Sequence, residues 1–418
     1  MSQMHIFEVR EFETAIPVIP ALSPAVIKVV GAGGGGSNAV NRMIESGLSG
    51  VQFIVVNTDV QDLNKSNAGD KLQIGSRLTG GTGAGGKPGI GEDAAKEDHE
   101  KISDLLRGAD MVFVTAGMGG GTGTGSAPII AKIAQDHGAL TVGVVTKPFG
   151  FEGKTEMSIA DEGIRKLRES VDTLIVIPNE NLFKMVDSKT TSLQAYGIAD
   201  DVLNQGVQGI ADLITKTGII NTDFADVKST MKGQGDALMG IGKGTGDSRA
   251  RDAASNAIDN PLLEDTSIKG ATRLLVNISG SENITIVEIQ EIMQTIKAEA
   301  DPEVEIIFGQ NFDPDLGDTI KVTVIATGFQ VKTSGAVRRD ASHQRYEPGI
   351  GDIISHDTFK QMLGHKPAHR NYDNYGGYAN ASDYNDKNLE VPSVIRKKLN
   401  AETDESQFGN FAASGRNA

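Results

Sequence analysis

The sequence predicts an α/β fold: a doubly wound parallel sheet, then a long helix, an α+β C-terminal domain and a disordered tail. Three observations predict it. Short apolar, β-branched runs alternate with helical stretches between Ala25 and Ile177, and such alternation implies parallel strands with helices on both faces. The runs end in loops of glycine or of Asn, Asp and Thr, at the strand ends where parallel sheets hold ligands. After Phe329 the chain is rich in Asp, Asn, Gly, His and Tyr without periodicity, the composition of a solvated segment.

Taken in order, Met1–Pro24 has three prolines and no period, and reads as a loose arm. Ala25–Val30 (AVIKVV) is a buried strand, followed at once by the glycine loop Gly31–Gly36 (GAGGGG) and a helix from Ser37. Val51–Val56 is the second strand and ends in Asn57-Thr58-Asp59; Gly75–Gly91 is a Gly/Thr-rich loop and Glu92–Arg107 a polar helix. Met111–Thr115 is the third strand and feeds Gly117–Gly125 (GMGGGTGTG), ahead of a helix at Ser126–Ala134. Leu140–Thr146, a helix at Thr155–Glu169 and the strand Thr173–Ile177 complete the alternation, the last strand running into Pro178-Asn179-Glu180.

Ser192–Thr215 has apolar residues at helical spacing (Leu193, Tyr196, Val202, Leu203, Val207, Ile210, Leu213). At 1.5 Å per residue such a helix is about 36 Å long. A short acidic loop, Asn221–Asp226, follows. From Ala237 helices at Ser248–Ala257 and Ile284–Ala298 mix with strands at Arg273–Ile278, Val304–Phe308 and Thr319–Ala326. A short helix is expected at Asp352–Leu363. Tyr346, Tyr372, Tyr375, Tyr378 and Tyr384 lie in the linker as contact points or as compositional drift. Leu389–Leu399 (LEVPSVIRKKL) has the apolar and basic character of a docking peptide.

Composition narrows the function classes. The net charge of −15 disfavours nucleic acid and anionic membrane. With no cysteine there is neither a disulfide framework nor a thiolate metal site. No apolar run reaches the roughly 20 residues of a membrane span, and the N-terminal segment lacks a signal-peptide pattern. The expectation is a soluble cytoplasmic protein that reaches a membrane only through an adaptor.

The glycine loops point to phosphate. A glycine turn between strand and helix aims N–H groups and a helix N-terminus at one point. Gly-x-x-x-x-Gly-Lys-Ser/Thr is absent, so this is no P-loop. Gly31-x-Gly33-x-x-Gly36, with Asp59 ending the second strand, fits a dinucleotide fingerprint. The richer second loop argues against NAD. So does the want of a histidine placed for hydride chemistry: of the seven histidines, His343, His356, His365 and His369 lie in the linker. A nucleoside di- or triphosphate held by two loops accounts for both. An NAD-dependent oxidoreductase using Gly31–Gly36 stays as the alternative.

The strings GAGGGGSNAVNRM, NTD, GMGGGTGTGSAP, TKPFGFEG, IPNENL and NTDFADVK, in this order, resemble the FtsZ family, the tubulin-like division GTPases of bacteria. The resemblance spans Val26–Phe329 and the terminal EVPSVIRKK. It implies a tubulin/FtsZ-like fold divided as a flexible arm (1–24), a GTP-binding domain (25–191), a central helix (192–216), a C-terminal domain with the catalytic loop (217–329), a disordered linker (330–388) and a docking peptide with tail (389–418). It implies that backbone amides of Gly34, Gly35, Gly36, Ser37 and Asn38 and of Gly121, Thr122 and Gly123 hold the phosphates, with the Thr122 hydroxyl assisting. By the same resemblance Glu152 contacts the ribose, Asn179 the base or ribose, Tyr196 packs on guanine, and Asp200 pairs with its N1 and exocyclic amine. Asp223 and Asp226, with Asn221 beside them, act on the next subunit's GTP, so that the site is complete only in a head-to-tail filament. Mg²⁺ is held mainly by phosphates and water. The implied role is a filament at the mid-cell division ring, with Val394, Ile395 and Arg396–Lys398 of the tail docking on the actin-like membrane anchor FtsA and recruiting other division proteins. A GTP-bound scaffold that does not hydrolyse is the other alternative. Glu156 stands where the family often has Arg, and Lys154 is expected to take over its charge. Asn400–Ala418 has no assignment.

Overall fold

Alternate residues of the first strand go to opposite layers, and this sets the architecture. In a computed structural model, β1 (Ile27–Ala32) turns Ile27 and Val29 to one core and Val30 and Ala32 to another, the period of two that a strand buried on both faces shows. The structure describes residues 25–185, 189–216, 220, 222–263 and 268–329, all within one compact unit. The expected arm, linker, docking peptide, linker tyrosines and tail lie outside them, as does the expected helix at Asp352–Leu363.

The elements run α1 (Gly33–Glu45), β2 (Gln52–Asn57), α2 (Val60–Lys65), β3 (Asp70–Gln73), α3 (Ser76–Thr79), α4 (Pro88–Glu97), α5 (His99–Leu106), β4 (Met111–Gly117), α6 (Thr122–Asp136), β5 (Leu140–Lys147), α7 (Lys154–Arg168), β6 (Thr173–Pro178) and α8 (Asn179–Leu182). Then come α9 (Ser192–Thr215), α10 (Phe224–Met231), β7 (Gly235–Gly244), α11 (Arg249–Ile258), β8 (Arg273–Gly280), α12 (Ile286–Glu299), β9 (Glu305–Phe312) and β10 (Ile320–Thr327). They form a 10-stranded sheet of order β3-β2-β1-β4-β5-β6-β7-β10-β8-β9. The strands from β3 to β6 pair in parallel; β10 is antiparallel to both β7 and β8. α1, α9 and α10 cover one face of the parallel part, and α4 to α7 the other. α11 and α12 pack on the C-terminal strands around Ile292, Ile296, Val322 and Val324.

The structure corrects several elements. The glycine run Gly31–Gly36 is the end of β1 and the first turn of α1 rather than a loop. α6 begins at Thr122, inside the second glycine motif. The expected helix Glu92–Arg107 is two helices broken at Asp98, whose carboxylate accepts the Gly75 N–H at 2.8 Å. β3 and β7 are strands that the sequence pattern does not announce. Through β7, paired in parallel with the start of β6, the C-terminal strands continue one sheet.

Arg249 locks the C-terminal part. Its guanidinium is nearly buried and binds both Glu288 oxygens (2.6 and 3.3 Å), the Asp318 carbonyl and the Asn283 carbonyl. Glu288 also caps α12, accepting from the Thr285 N–H. The Arg249 hydrogen bond first, then the Thr285 cap, outweigh the cost of burial and hold Glu288 down to about 2. A depressed carboxylate stabilises above its ordinary range and loses that contribution as pH falls towards its folded value. Glu288→Gln is therefore expected to destabilise the fold by about 2 kcal/mol at pH 7. The difference should shrink below about pH 4.5, followed by urea unfolding at several pH values.

Candidate functional site

β1 and β4 are neighbours, and between them the strand order reverses. Ligands of such sheets bind in the crevice at that switch point. α1 and α6 open there, neither with a side-chain cap. Their first N–H groups thus lack partners within the helix and, with the two helix dipoles, favour an anion such as phosphate.

The space around the glycines separates architecture from binding. A Cβ on Gly33 (φ +69°) would stand 2.7 Å from the Gly123 nitrogen, and one on Gly35 3.0 Å from the Gly117 nitrogen. The two turns therefore pack backbone on backbone. Gly120 is exposed and has nothing within 4 Å of such a Cβ, while Gly34 meets only the Asp62 carboxylate at 3.5 Å. These two line open space. The Gly/Thr-rich stretch forms a third wall: a Cβ on Gly121 would meet the Lys87 nitrogen at 2.8 Å and the Ala84 Cβ at 2.9 Å.

Side chains at the phosphate end are mostly engaged already. The Ser37 hydroxyl donates to the Gly33 carbonyl (2.7 Å), and the Thr122 hydroxyl is hydrogen-bonded to that of Thr58 (2.6 Å). What remains for a ligand is backbone N–H, with Asn38 exposed beside it. Asp59 caps α2 by accepting the Gln61 N–H at 2.8 Å, which occupies the carboxylate a dinucleotide site would need. Lys154 opens α7 and is exposed; Glu156 is also exposed, and its carboxylate folds back over Gly153.

A second group of residues sits at the ends of β5 and β6. Phe149 stacks on Phe151 (5.1 Å between centroids) and meets Tyr196 edge-on at 5.3 Å. Glu152 accepts the Phe149 N–H at 3.0 Å and hydrogen-bonds the Tyr196 hydroxyl. Burial first, then this carboxylate, push the Tyr196 phenol upward. Asn179 is buried at the start of α8, and its Oδ1 has no partner; neither do Nδ2 of Asn57 and of Asn181. A buried amide atom left unpaired costs about 1–3 kcal/mol, so these atoms fit a polar ligand or water. Asp200 lies one turn beyond Tyr196 on α9 and is raised to about 6 by burial first and by Asp201 second, against Arg42. Leu193 and Tyr196 are exposed rather than on the buried stripe of α9 with Val202, Leu203, Val207, Ile210 and Leu213.

Asp223 and Asp226 are not in this constellation. α9 ends with Thr215 packed on Gly50, in the turn that feeds the amino end of β2. Asp223 follows, and α10 then brings the Met231 carbonyl to the Thr173 hydroxyl at the start of β6. Both aspartates thus belong to the amino-end side of the sheet, and the glycine turns to the carboxyl-end side. The acidic loop is the first turn of α10: Asp223 is its N-cap and accepts the Asp226 N–H at 2.8 Å. Both side chains are exposed. Asn221 lies outside the described residues.

Residues 26–187 match the GTPase domain of the Tubulin/FtsZ family, and residues 235–330 the C-terminal domain of the FtsZ family. A solved structure of an empty FtsZ dimer from M. jannaschii is 46% identical, with a TM-score of 0.71, covering 74% of this chain and 89% of that one. The chain belongs to the FtsZ family. A point mutant of FtsZ from M. jannaschii matches at the same 46% and 0.71, over 73% of this chain and 92% of that one. CetZ2 from Haloferax volcanii, solved as a GTPγS-bound protofilament, shares the fold at 19% identity and TM-score 0.62, over 72% and 92%. This FtsZ-family chain therefore carries a guanine-nucleotide GTPase domain, and the dinucleotide alternative finds no support: its fingerprint lies inside that domain.

Two features of the site were not read from the sequence, the third wall at Ala84–Lys87 and the Phe149–Phe151 stack. The TKPFGFEG string contained both phenylalanines and offered the signal for the second. Gly33→Ala is expected to lower stability by at least about 2 kcal/mol, since a Cβ there meets backbone. Gly120→Ala should keep the melting temperature; thermal unfolding of both variants checks this.

Proposed function

We propose that this chain hydrolyses GTP only between subunits of a head-to-tail filament. The carrying observation is the position of Asp223 and Asp226, exposed at the end of the sheet opposite the glycine turns. The phosphate end is built from backbone N–H groups, which neutralise charge but hold no general base. A second copy stacked along the same axis brings its Asp223 and Asp226 to that end, where a carboxylate can orient and polarise the water that attacks the γ-phosphate. Head-to-tail contacts that do not close into a ring generate a filament. Asn179, Tyr196 and Asp200 select guanine: a carboxylate accepts from the N1–H and exocyclic amine together, a donor pair adenine lacks.

Among the described residues no cluster of three or more His, Asp or Glu is spaced to hold a metal. Mg²⁺ would be held by phosphate oxygens and water, because this hard ion keeps several waters and takes few protein ligands beside substrate phosphates. It would neutralise phosphate charge; Asp223 and Asp226 would handle the water. No described helix is long and apolar enough to cross a membrane. On the family reading the filament would lie in the cytoplasm at the mid-cell division ring. Leu389–Leu399 would tether it to a membrane adaptor such as FtsA and recruit further division proteins, and the sequence divides functionally as set out above.

GTP-dependent light scattering together with phosphate release tests this. Asp223→Ala should bind GTP normally, still scatter light and release phosphate at least about a hundredfold more slowly, the scale of losing a water-orienting group. Scattering by the natural chain without phosphate release would instead support the non-hydrolysing scaffold. Lys154→Ala should weaken GTP binding about tenfold relative to GDP, the scale of one charge-assisted contact; equal affinities and turnover would reject its compensation of Glu156.

A further inference from the structure

α1 leads away from the phosphate turn, α9 carries the residues assigned to guanine, and the two helices meet along a polar seam. Arg42 Nε lies 2.5 Å from Asp201 Oδ1 and its Nη2 3.1 Å from Oδ2, a bidentate pair. One turn further, the Ser46 hydroxyl donates to Asn204 Oδ1 at 3.2 Å. The groove over this seam is lined by Arg42, Gln194, Ile198 and Asp201, with Lys189 at its rim. Asp201 is the chain neighbour of Asp200 on α9, and the guanidinium that pairs with Asp201 also acts on the Asp200 carboxylate through its field.

We propose that Arg42 is a positioning residue for guanine recognition: by engaging Asp201 bidentately it neutralises the neighbouring carboxylate and keeps Asp200 ionised and free to accept two donors from the base. The inference rests on the assignment of guanine to Asp200. An exposed ion pair adds little to stability, and here the side chains of Arg42 and Asp201 are 47% and 36% exposed. Its effect is therefore on the charge state beside it. Asp200 needs the help: burial and Asp201 both push its carboxyl up, and Arg42 opposes them. Among the described residues, the charged groups near this point are Asp201 on α9, Arg42 and Glu45 on α1, Glu152 beside Tyr196, and Lys189. Glu45 draws on the same guanidinium, 3.7 Å from Nη1. A protonated Asp200 offers one acceptor fewer and adds a donor facing donors, so guanine binding falls as pH falls through the carboxyl's own range.

GTP and ITP affinities of the full chain, measured from pH 5.5 to 8.5, test the proposal; ITP lacks the exocyclic amine. In the natural chain GTP affinity should decline below about pH 6, the value to which Asp200 is raised. Arg42→Ala should move that decline up by about one pH unit. GTP binding would then be about fivefold weaker than in the natural chain at pH 6 and equal to it above pH 8, because the ionised fraction of Asp200 falls by that factor at pH 6 and hardly changes above pH 8. Arg42→Lys should restore most of the profile. In an Asp200→Asn background Arg42→Ala should have no further effect, because no charge remains to protect. A loss from Arg42→Ala of equal size at pH 6 and pH 8.5, or one that persists in Asp200→Asn, would overturn the proposal and leave Arg42 a plain helix clamp. If Asp200→Asn keeps the full preference for GTP over ITP, the guanine assignment itself fails, which the Arg42 profile at fixed Asp200 separates from failure of the Arg42 role.

Discussion

The close approach of two backbones governs this molecule. A β-carbon on Gly33 would meet the Gly123 nitrogen at 2.7 Å, and one on Gly35 the Gly117 nitrogen at 3.0 Å. That contact brings two uncapped helix N-termini to one point and makes the phosphate end a surface of amides. At Gly33 and Gly35 it also leaves no space for the side chains that other phosphate sites rely on. A site so made binds charge well and lacks its own base. The proposed separation of binding from water activation is consistent with this packing.

α9 joins the two halves of that arrangement. Thr191 and Gln194 form a reciprocal cap at its start, beside Tyr196 and Asp200, and Thr215 ends it at the opposite end of the sheet. Gly206 faces Met239 and Gly209 faces Thr323, which lets the helix lie close against the strands between its ends. A mid-helix glycine costs roughly 1 kcal/mol against alanine, and the contact with β7 and β10 offsets it. Asn277 adds a hydrogen bond to the Gly209 carbonyl. One helix thus sets the distance between Tyr196 and Asp200, proposed to hold the base, and the aspartates that a neighbouring molecule would use.

Some elements were legible because their cause is local. α9 runs over the same residues that its apolar period and cap define, and β1, β4, β5 and β6 stand within two residues of their apolar runs. β3 was not legible: Asp-Lys-Leu-Gln at a sheet edge has no apolar pattern, and only pairing with β2 makes it a strand. β7 was hidden by its glycines, yet a Cβ on Gly242 would stand 2.0 Å from the Ala253 carbonyl, so those glycines serve the helix laid across them. The break between α4 and α5 depends on a carboxylate reaching another loop.

The sequence by itself determined the phosphate turns, the alternation behind the sheet and, through its motifs, the FtsZ family. Tertiary structure alone decided which glycines are architecture and which line open space, that Thr122 and Ser37 spend their hydroxyls on the protein, that Asp223 is a helix cap at the far end, and that Arg42 pairs with Asp201 next to Asp200. Period, composition and capping act within a few residues and are written in order along the chain. Close approach, burial and the field at a carboxylate depend on segments up to some 160 residues apart (Arg42 and Asp201 are separated by 159), and no local pattern records them.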